Sequence, residues 1–281
     1  MNKENRSVIY DADLGMEAYH FQGLMQKFPN HFHDYYVIGF IEKGRRHLVC
    51  RNKDYILDAG DMVLFNPRDN HACEQVDGRT LDYRCINVTV DVMKKAMADI
   101  TGREILPCFT SSVVFHTDMM VPLQEFHRMV FAGAPRLCKE EAFLFLVGQL
   151  VADFTKEGTG VETVGKPSAA LENVRRYLEK HYCDSISLDD LVRVSGLSKY
   201  YLLRSFTHQV GITPYRNVET LRINQAKKLL EQGVPLVEAA LSTGFSDQSH
   251  FSRFFKSFIG LPPRQYAGIF SSVRSVVHHA E

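Results

Sequence analysis

Hydrophobic and polar positions change their period along this chain. The first third is built of short apolar runs separated by turn residues. Val37 to Phe40, His47 to Cys50, Met62 to Phe65 and Cys85 to Val90 are rich in Val, Ile, Tyr and Phe and read as strands. Glu42-Lys-Gly44 and Asp58-Ala-Gly-Asp61 read as turns, with glycine where a positive φ is expected. Many short strands at even spacing predict a sandwich or barrel over residues 8–110. Beyond it the period lengthens. Asp118 to Ala132 and Arg136 to Lys156 read as helices on either side of Ala134-Pro135. The second carries Leu137, Leu144, Val147, Val151 and Phe154 on one face, with Phe143, Leu146 and Leu150 beside it. So much apolar surface must be covered. Two covers are open: the barrel itself, or a second copy of the chain along a seam that includes Leu144 and Val151. Glu157 to Lys166, with three glycines and two threonines before Pro167, reads as a flexible linker. The tail from Ser271 is polar and expected to fray.

The stretch from Ser187 to Tyr266 contains one pattern written twice. Gly196 recurs as Gly244 at an offset of 48, whereas Arg204, Phe206, Gly211 and Pro214 recur as Arg253, Phe255, Gly260 and Pro263 at an offset of 49. A repeat of this kind is one supersecondary unit used twice, and the unit reads as helix-turn-helix. In the first copy, Leu188 to Ser195 is a short helix with Ser187 as N-cap and Asp190 in the capping-box position. Gly196 makes the turn, and Ser198 is expected to cap a longer helix to about Gln209. In the second copy, Leu236 to Thr243, Gly244 and Ser246 take the same places. Phe251, Phe254, Phe255 and Phe258 then form an apolar stripe at i, i+3, i+4 and i+7. Gln248, Ser249, Ser252, Arg253 and Lys256 lie around the rest of that helix, a polar face suited to a DNA major groove or to plain solvent. Tyr215 to Glu231 joins the copies as one helix, ~27 Å long at ~1.5 Å per residue. Successive major-groove faces on one side of a duplex are ~34 Å apart, so such a helix could hold both copies on one face.

Charge sharpens this division. The chain of 281 residues has a formal net charge of zero, but residues 1–160 carry −4 and residues 161–281 carry +4. The basic half is the one with the repeated unit, as phosphate neutralisation requires. No stretch approaches the ~20 apolar residues of a membrane span, and Met1 to Arg6 lacks a signal-peptide core. Cys50, Cys73, Cys85, Cys108, Cys138 and Cys183 have no C-x-x-C spacing and are expected as reduced thiols of a cytoplasmic protein.

Gly244-Phe-Ser-Asp-Gln-Ser-His-Phe-Ser-Arg-Phe-Phe-Lys256 and Gly260-Leu-Pro-Pro-Arg-Gln-Tyr266 resemble the signature of the AraC family of bacterial transcription regulators. The resemblance covers residues 172–267 strongly. It implies two helices reading DNA, with contacts from Ser198, Lys199, Tyr200, Leu203 and Arg204 in the first copy. In the second copy it implies Ser246, Gln248, Ser249, Ser252, Arg253 and Lys256. Position 203 often carries a polar residue in relatives; Leu203 could offer only apolar contact, for example to a thymine methyl. The resemblance also implies a homodimer, RNA polymerase as a contact, and activation as the expected sign of control.

Upstream, Pro29-Asn-His-Phe-His-Asp-Tyr-Tyr36 with Gly44, Gly60-Asp61, Pro67 and His71 resembles a cupin, the double-sheet barrel that often precedes such DNA-binding domains as a sensor. His31, His33 and His71 match three of the metal-binding positions of metal-binding cupins. The carboxylate position falls near Val37, which cannot coordinate. Three readings stay open for the histidines: a divalent metal with water in the open place, direct contact with an organic effector, or structure alone. The ligand-binding set expected is His31, His33, Tyr35, His47 and His71, and Arg45 and Arg46 hint at an anionic ligand.

The expected fold is α+β and multidomain: a cupin-like β-barrel with two following helices, then an all-α domain with two helix-turn-helix motifs joined by a long helix. The boundaries expected are 1–110 for the barrel, 111–157 for a helical dimerisation segment, 158–171 for the linker and 172–270 for the DNA-binding domain. The leading function is an effector-responsive, sequence-specific regulator that binds double-stranded DNA, without catalytic activity or an obligatory cofactor. The rivals are a metal-dependent cupin enzyme fused to a DNA-binding domain, and a constitutive DNA binder with an inert barrel.

Overall fold

The computed structural model describes residues 4–156, 169–259, 261–268 and 270. The chain divides into two compact units, Met1–Thr163 and Val164–Glu281.

The first unit holds two antiparallel sheets. The larger is built from β1 (Asn5–Asp11), β2 (Met16–Leu24), β9 (Leu81–Thr89), β4 (Tyr35–Lys43), β7 (Met62–Phe65) and β10 (Val113–Val114), in that spatial order. The smaller is β3 (Phe28–His31), β8 (His71–Gln75), β5 (Arg46–Cys50) and β6 (Lys53–Leu57). Leu24, Val37, Ile41, Val63, Phe65, Leu81 and Cys85 of the larger sheet form one cluster with Leu48, Cys50 and Leu57 of the smaller, so the core lies between them. Alternation then decides which side chains face it. β5 has one face in the core and shows a strict alternation of buried and half-buried positions. β4 is buried on both faces, which explains its unbroken apolar run from Tyr36 to Ile41. Gly39 is needed there because a Cβ would stand 2.3 Å from the Tyr83 hydroxyl.

The second face of the larger sheet is covered by helices. α1 (Val90–Thr101) continues directly from β9, its first turn capped by Thr89 Oγ1 and its end marked by Gly102 at φ 73°. This corrects the all-β reading of residues 8–110. α2 (Met120–Phe131) packs on β1, β2 and β9, and α3 (Arg136–Phe154) packs on α1 and α2. Lys139 of α3 is buried with its ammonium between Asp11 and Asp13 (2.8 Å to the latter), tying α3 to the β1–β2 turn. Leu144 and Val151, expected on a dimer seam, are buried within the chain instead. An apolar face predicts burial without saying by what, and here neither side chain is left for a second copy.

The second unit is all-α: α4 (Ala169–His181), α5 (Leu188–Ser195), α6 (Lys199–Val210), α7 (Pro214–Glu231), α8 (Leu236–Ser242) and α9 (Gln248–Ile259). Because α4 begins at Ala169, the expected linker is helical over its last three residues; its earlier part, like Gly260 and the tail from Ser271, lies outside the described residues. The Ser187–Asp190 capping box is present in both directions, and Pro214 occupies the first turn of α7 with Thr213 as cap. Gly196 and Gly244 both adopt left-handed φ, 71° and 84°. At Gly244 a Cβ would also stand 2.6 Å from the Cys183 carbonyl, so this turn excludes any other residue twice over. Ile223, Ala226 and Leu230 of α7 share a core with Ala239, Ala240, Phe245, Phe251 and Phe255.

Candidate nucleic-acid interface and effector site

Burial fixes how each candidate recognition helix is turned. In α9, Phe251 and Phe255 are fully buried, and Phe254 and Phe258 are half-buried beneath the Arg216 guanidinium, 5.5 and 5.1 Å from its centre. Gln248, Ser249, Arg253 and Lys256 are exposed, and Ser252 is half-buried at the edge of the same face. Arg253 and Lys256 form no ion pair among the described residues. The helix is therefore locked by its aromatic side while its polar side is free to meet a partner. Its cap differs from expectation: Asp247 Oδ1 accepts from the His250 N–H at 2.7 Å, and Ser246 only donates to Asp247 at 3.3 Å. An aspartate one residue nearer the helix is better placed to bond its first free N–H groups.

The first copy needs more correction. Leu203 is fully buried and cannot reach a groove. Tyr200 is 9% exposed, and Lys199 is 7% exposed with its ammonium 2.8 Å from Asp189. The phase set by buried Leu202, Leu203 and Phe206 turns a different row outward: exposed Ser198, half-buried Tyr201 and Arg204, and exposed His208. Arg204 lies 5.7 Å over the Tyr200 ring. Tyr201 and His208 were missed, although they stand at i−3 and i+4 from Arg204 and helical spacing alone links them.

Charged side chains of α7 join the turn before the first copy to the second copy. Arg222 donates to the carbonyls of Tyr182 (2.6 Å) and Asp184 (2.9 Å) and lies over Phe245 at 5.9 Å. Glu219 is 2% exposed on its side chain; one oxygen accepts from Arg216 at 3.1 Å and the other, Oε1, is buried without a hydrogen bond. Burial pushes its carboxyl up to about 7.

In the first unit, His31 ends β3, His71 begins β8 and His33 precedes β4, so three strand ends bring the imidazoles together. One nitrogen of each lies within 4.8 Å of the others. His33 stacks on Tyr35 at 4.7 Å and His71 on Phe65 at 4.2 Å. Burial lowers the His71 pKa to about 4, and burial followed by the nearby His31 lowers that of His33, so both rings are neutral near pH 7. His31, His33 and Tyr35 remain partly accessible while His71 is buried. The fold thus brings His31, His33 and His71 together, with Tyr35 stacked on His33.

His47 does not join them. On β5 its neighbours Arg46 and Leu48 face the core, so His47 points to the outer face, where it meets Asp54 at 2.8 Å and Glu74 at 3.6 Å. Arg45 pairs with Asp58, and Arg46 is buried with its N–H groups on the carbonyls of Arg45, Arg79 and Leu24. Neither forms an anion pocket with the histidines. Glu17, Tyr19 and Asn87 were missed as neighbours. Glu17 pairs in register with Asn87, which pairs with Val37, which pairs with Phe65, so one row on the core face runs from Glu17 to the ring under His71. Glu17 accepts from the Tyr19 hydroxyl at 2.8 Å and from Asn87 at 3.4 Å. Glu17, Tyr19 and Phe21 alternate with Met16, Ala18 and His20, and that period of two was the available signal.

Residues 13–146 match an AraC-like ligand binding domain, and residues 191–268 match a helix-turn-helix domain. The chain is 54% identical over 250 residues to the HTH-type transcriptional regulator YbfI of Bacillus subtilis, covering 89% of this chain and 90% of the relative. The chain belongs to the AraC family of transcription regulators. The transcriptional activator RhaS of Enterobacter sp. (strain 638) is 24% identical over 251 residues, covering 85% of this chain and 87% of that protein. The C-terminal domain of AraT, a response regulator from Geobacillus stearothermophilus, is 27% identical over 37% of this chain and 88% of its own, with a TM-score of 0.35. As a member of this family the protein combines a DNA-binding helix-turn-helix domain with a ligand-binding domain, and no described helix is long and apolar enough to cross a membrane.

Proposed function

We propose that this regulator is a cytoplasmic, effector-responsive activator that reads DNA mainly through α9 and holds its effector among His31, His33, Tyr35 and His71. The carrying observation is the split of α9 into a buried aromatic side and an outward side of Gln248, Ser249, Arg253 and Lys256. Gln and Arg at the exposed start and middle of such a helix suit adenine and guanine edges. Activation is the sign carried in the name of RhaS. Function as a homodimer, with RNA polymerase as the downstream contact, completes the reading. For the effector to act, it must bind one arrangement of the regulator more tightly than another.

The test is a selected operator titrated against wild type and Arg253→Ala at several salt concentrations. A lost base contact should cost ~1–3 kcal/mol and relax preference at one base pair. A lost phosphate contact should weaken all sequences alike and lower the salt slope by about one. Wild-type affinity with a wild-type salt slope would remove α9 from the groove.

A further inference from the structure

The aromatic stripe of α9 is held in two different ways. Phe251 and Phe255 are buried in one cluster with Ile223, Ala226 and Leu230 of α7, an apolar contact that gains from area and prescribes no single orientation. Phe254 and Phe258, beside them on the stripe, are half-buried and meet a charged group instead. The Arg216 guanidinium, from the first turn of α7, lies 5.5 Å from one ring centre and 5.1 Å from the other. Its Nη1 stands 3.1 Å from the carboxylate of Glu219, three residues on and buried, so the place of the cation is set from the α7 side. Thr213 caps this turn by accepting from the Arg216 N–H at 3.2 Å. Only Gly211, Ile212 and Thr213 separate α7 from the end of α6 at Val210. A short, capped connection thus leads from the long helix of the first copy to a cation resting on the long helix of the second.

We infer that Arg216 is a positioning residue for DNA recognition: by fixing Phe254 and Phe258 of α9 against the start of α7, it sets the separation of the two half-sites that the regulator reads. This rests on the reading of DNA through α9 proposed above, and adds that the first copy reads beside it. A ring face holds a guanidinium only within ~6 Å of its centroid, and both contacts lie near that limit. A slide of α9 by the ~3.4 Å of one base pair is enough to take both rings out of range. Half-sites one base pair too near or too far therefore require either deformed DNA or binding by one copy alone. Because the Arg216 side chain is half exposed, its rival role is direct contact with a phosphate.

The experiment uses full-length wild type, Arg216→Gln, Phe258→Leu and the double variant. Each is titrated on the site that selection from random DNA returns, and on versions with one base pair inserted or deleted between its half-sites. Glutamine keeps a donor for Glu219, and circular dichroism melts check that every variant is folded. Wild type should bind the altered spacings at least about tenfold more weakly, the cost of deforming DNA or losing one copy. Each single variant should cut that penalty to about threefold or less, and the double variant should go no further, as partners in one contact do. An unchanged penalty in either single variant, or a wild type indifferent to spacing, would overturn the role of Arg216. Equal weakening at every spacing, with the salt slope lowered by about one in Arg216→Gln alone, would make Arg216 a phosphate contact and overturn it as well. Arg253→Ala on the same DNA keeps the two readings apart. If it weakens binding while the spacing profiles stay alike, α9 remains in the groove and only the role of Arg216 falls; no enriched sequence at all would remove both.

Discussion

Glu219 sets a pH dependence inside the DNA-binding unit, and its size follows from the structure. The side chain is 2% exposed on the long helix α7, with Arg216 on one oxygen and no hydrogen bond on the other. Burial raises its pKa from 4.5 to about 7 against the opposing pull of Tyr215 and Arg216. A folded-state value above the unfolded one means that the folded form binds the proton more tightly. The corresponding stability is fully present below about pH 4.5 and is lost as pH rises through 7. At ~1.4 kcal/mol for each pH unit separating the folded and unfolded values, the loss by pH 8 is on the order of 3 kcal/mol, with less than ~1 kcal/mol of it incurred by pH 5. Glu219→Gln keeps the shape and removes the ionisation. Its helical unit should therefore unfold at nearly the same temperature at pH 5 and pH 8, whereas wild type should drop by roughly 10 °C in that unit. The protein has no tryptophan, so the transition is followed by circular dichroism at 222 nm, where the helical unit dominates. Parallel pH profiles for the two proteins would refute a carboxyl ionising under burial, and with it the assignment of Glu219 to the interior of the unit.

Other outcomes follow from burial. Leu203→Ala should lower the stability of the DNA-binding unit by ~2–5 kcal/mol while protein that remains folded binds its operator unchanged; a specific loss of affinity without loss of stability would restore Leu203 to the groove. Leu144→Asp should prevent stable folding of the sensor unit, seen as loss of its melting transition, where a seam residue would give a folded monomer by sedimentation. His127 of α2 is fully buried, bonds the Tyr19 carbonyl at 2.9 Å and has its pKa lowered to about 4 by burial. Because the unfolded chain then binds the proton more tightly, the sensor unit should lose stability as pH falls from 6.5 toward 4. The pH slope of its unfolding should flatten in His127→Asn.

Much of the second unit was legible because its signals are local. A capping box, a left-handed glycine and an aromatic stripe at helical spacing each act within a few residues, and all three hold. Leu203 was misjudged for a different reason. The resemblance carried its position to the groove, whereas the phase of Leu202, Leu203 and Phe206 carries it to the core, and local packing prevails. In the first unit the histidines were found through the resemblance to cupins, and the H-x-H spacing that carries it keeps His31 and His33 on one side of an extended segment. The period of two could place Glu17 on one face of its strand, but its closeness to Asn87 depends on which strands pair, and register is a long-range property. His47 went astray by one residue, which in a strand is the difference between inside and outside. α1 was absorbed into the β reading because Thr89 both ends β9 and caps the helix.

The two helix-turn-helix copies share a backbone plan but not an outward surface. Each has a left-handed glycine in its turn, a buried phenylalanine at the matching place in its long helix, and an outward arginine. Around that arginine the chemistry diverges. In α9 the exposed neighbours are Gln248, Ser249 and Lys256, short or flexible groups able to bond base edges or phosphates. In α6 the corresponding space is shaped by aromatic rings: Arg204 lies over Tyr200, Tyr201 stands beside it, and Lys199 is drawn away to Asp189. A guanidinium resting on a ring is oriented before any DNA arrives, so less side-chain freedom is lost on contact. The repeat therefore specifies where two helices are presented; with both in the groove, the residues that differ between copies would specify what each reads. Selection of bound sequences from random DNA should accordingly return two unlike half-sites rather than one sequence repeated; a site made of one repeated half-site would refute this.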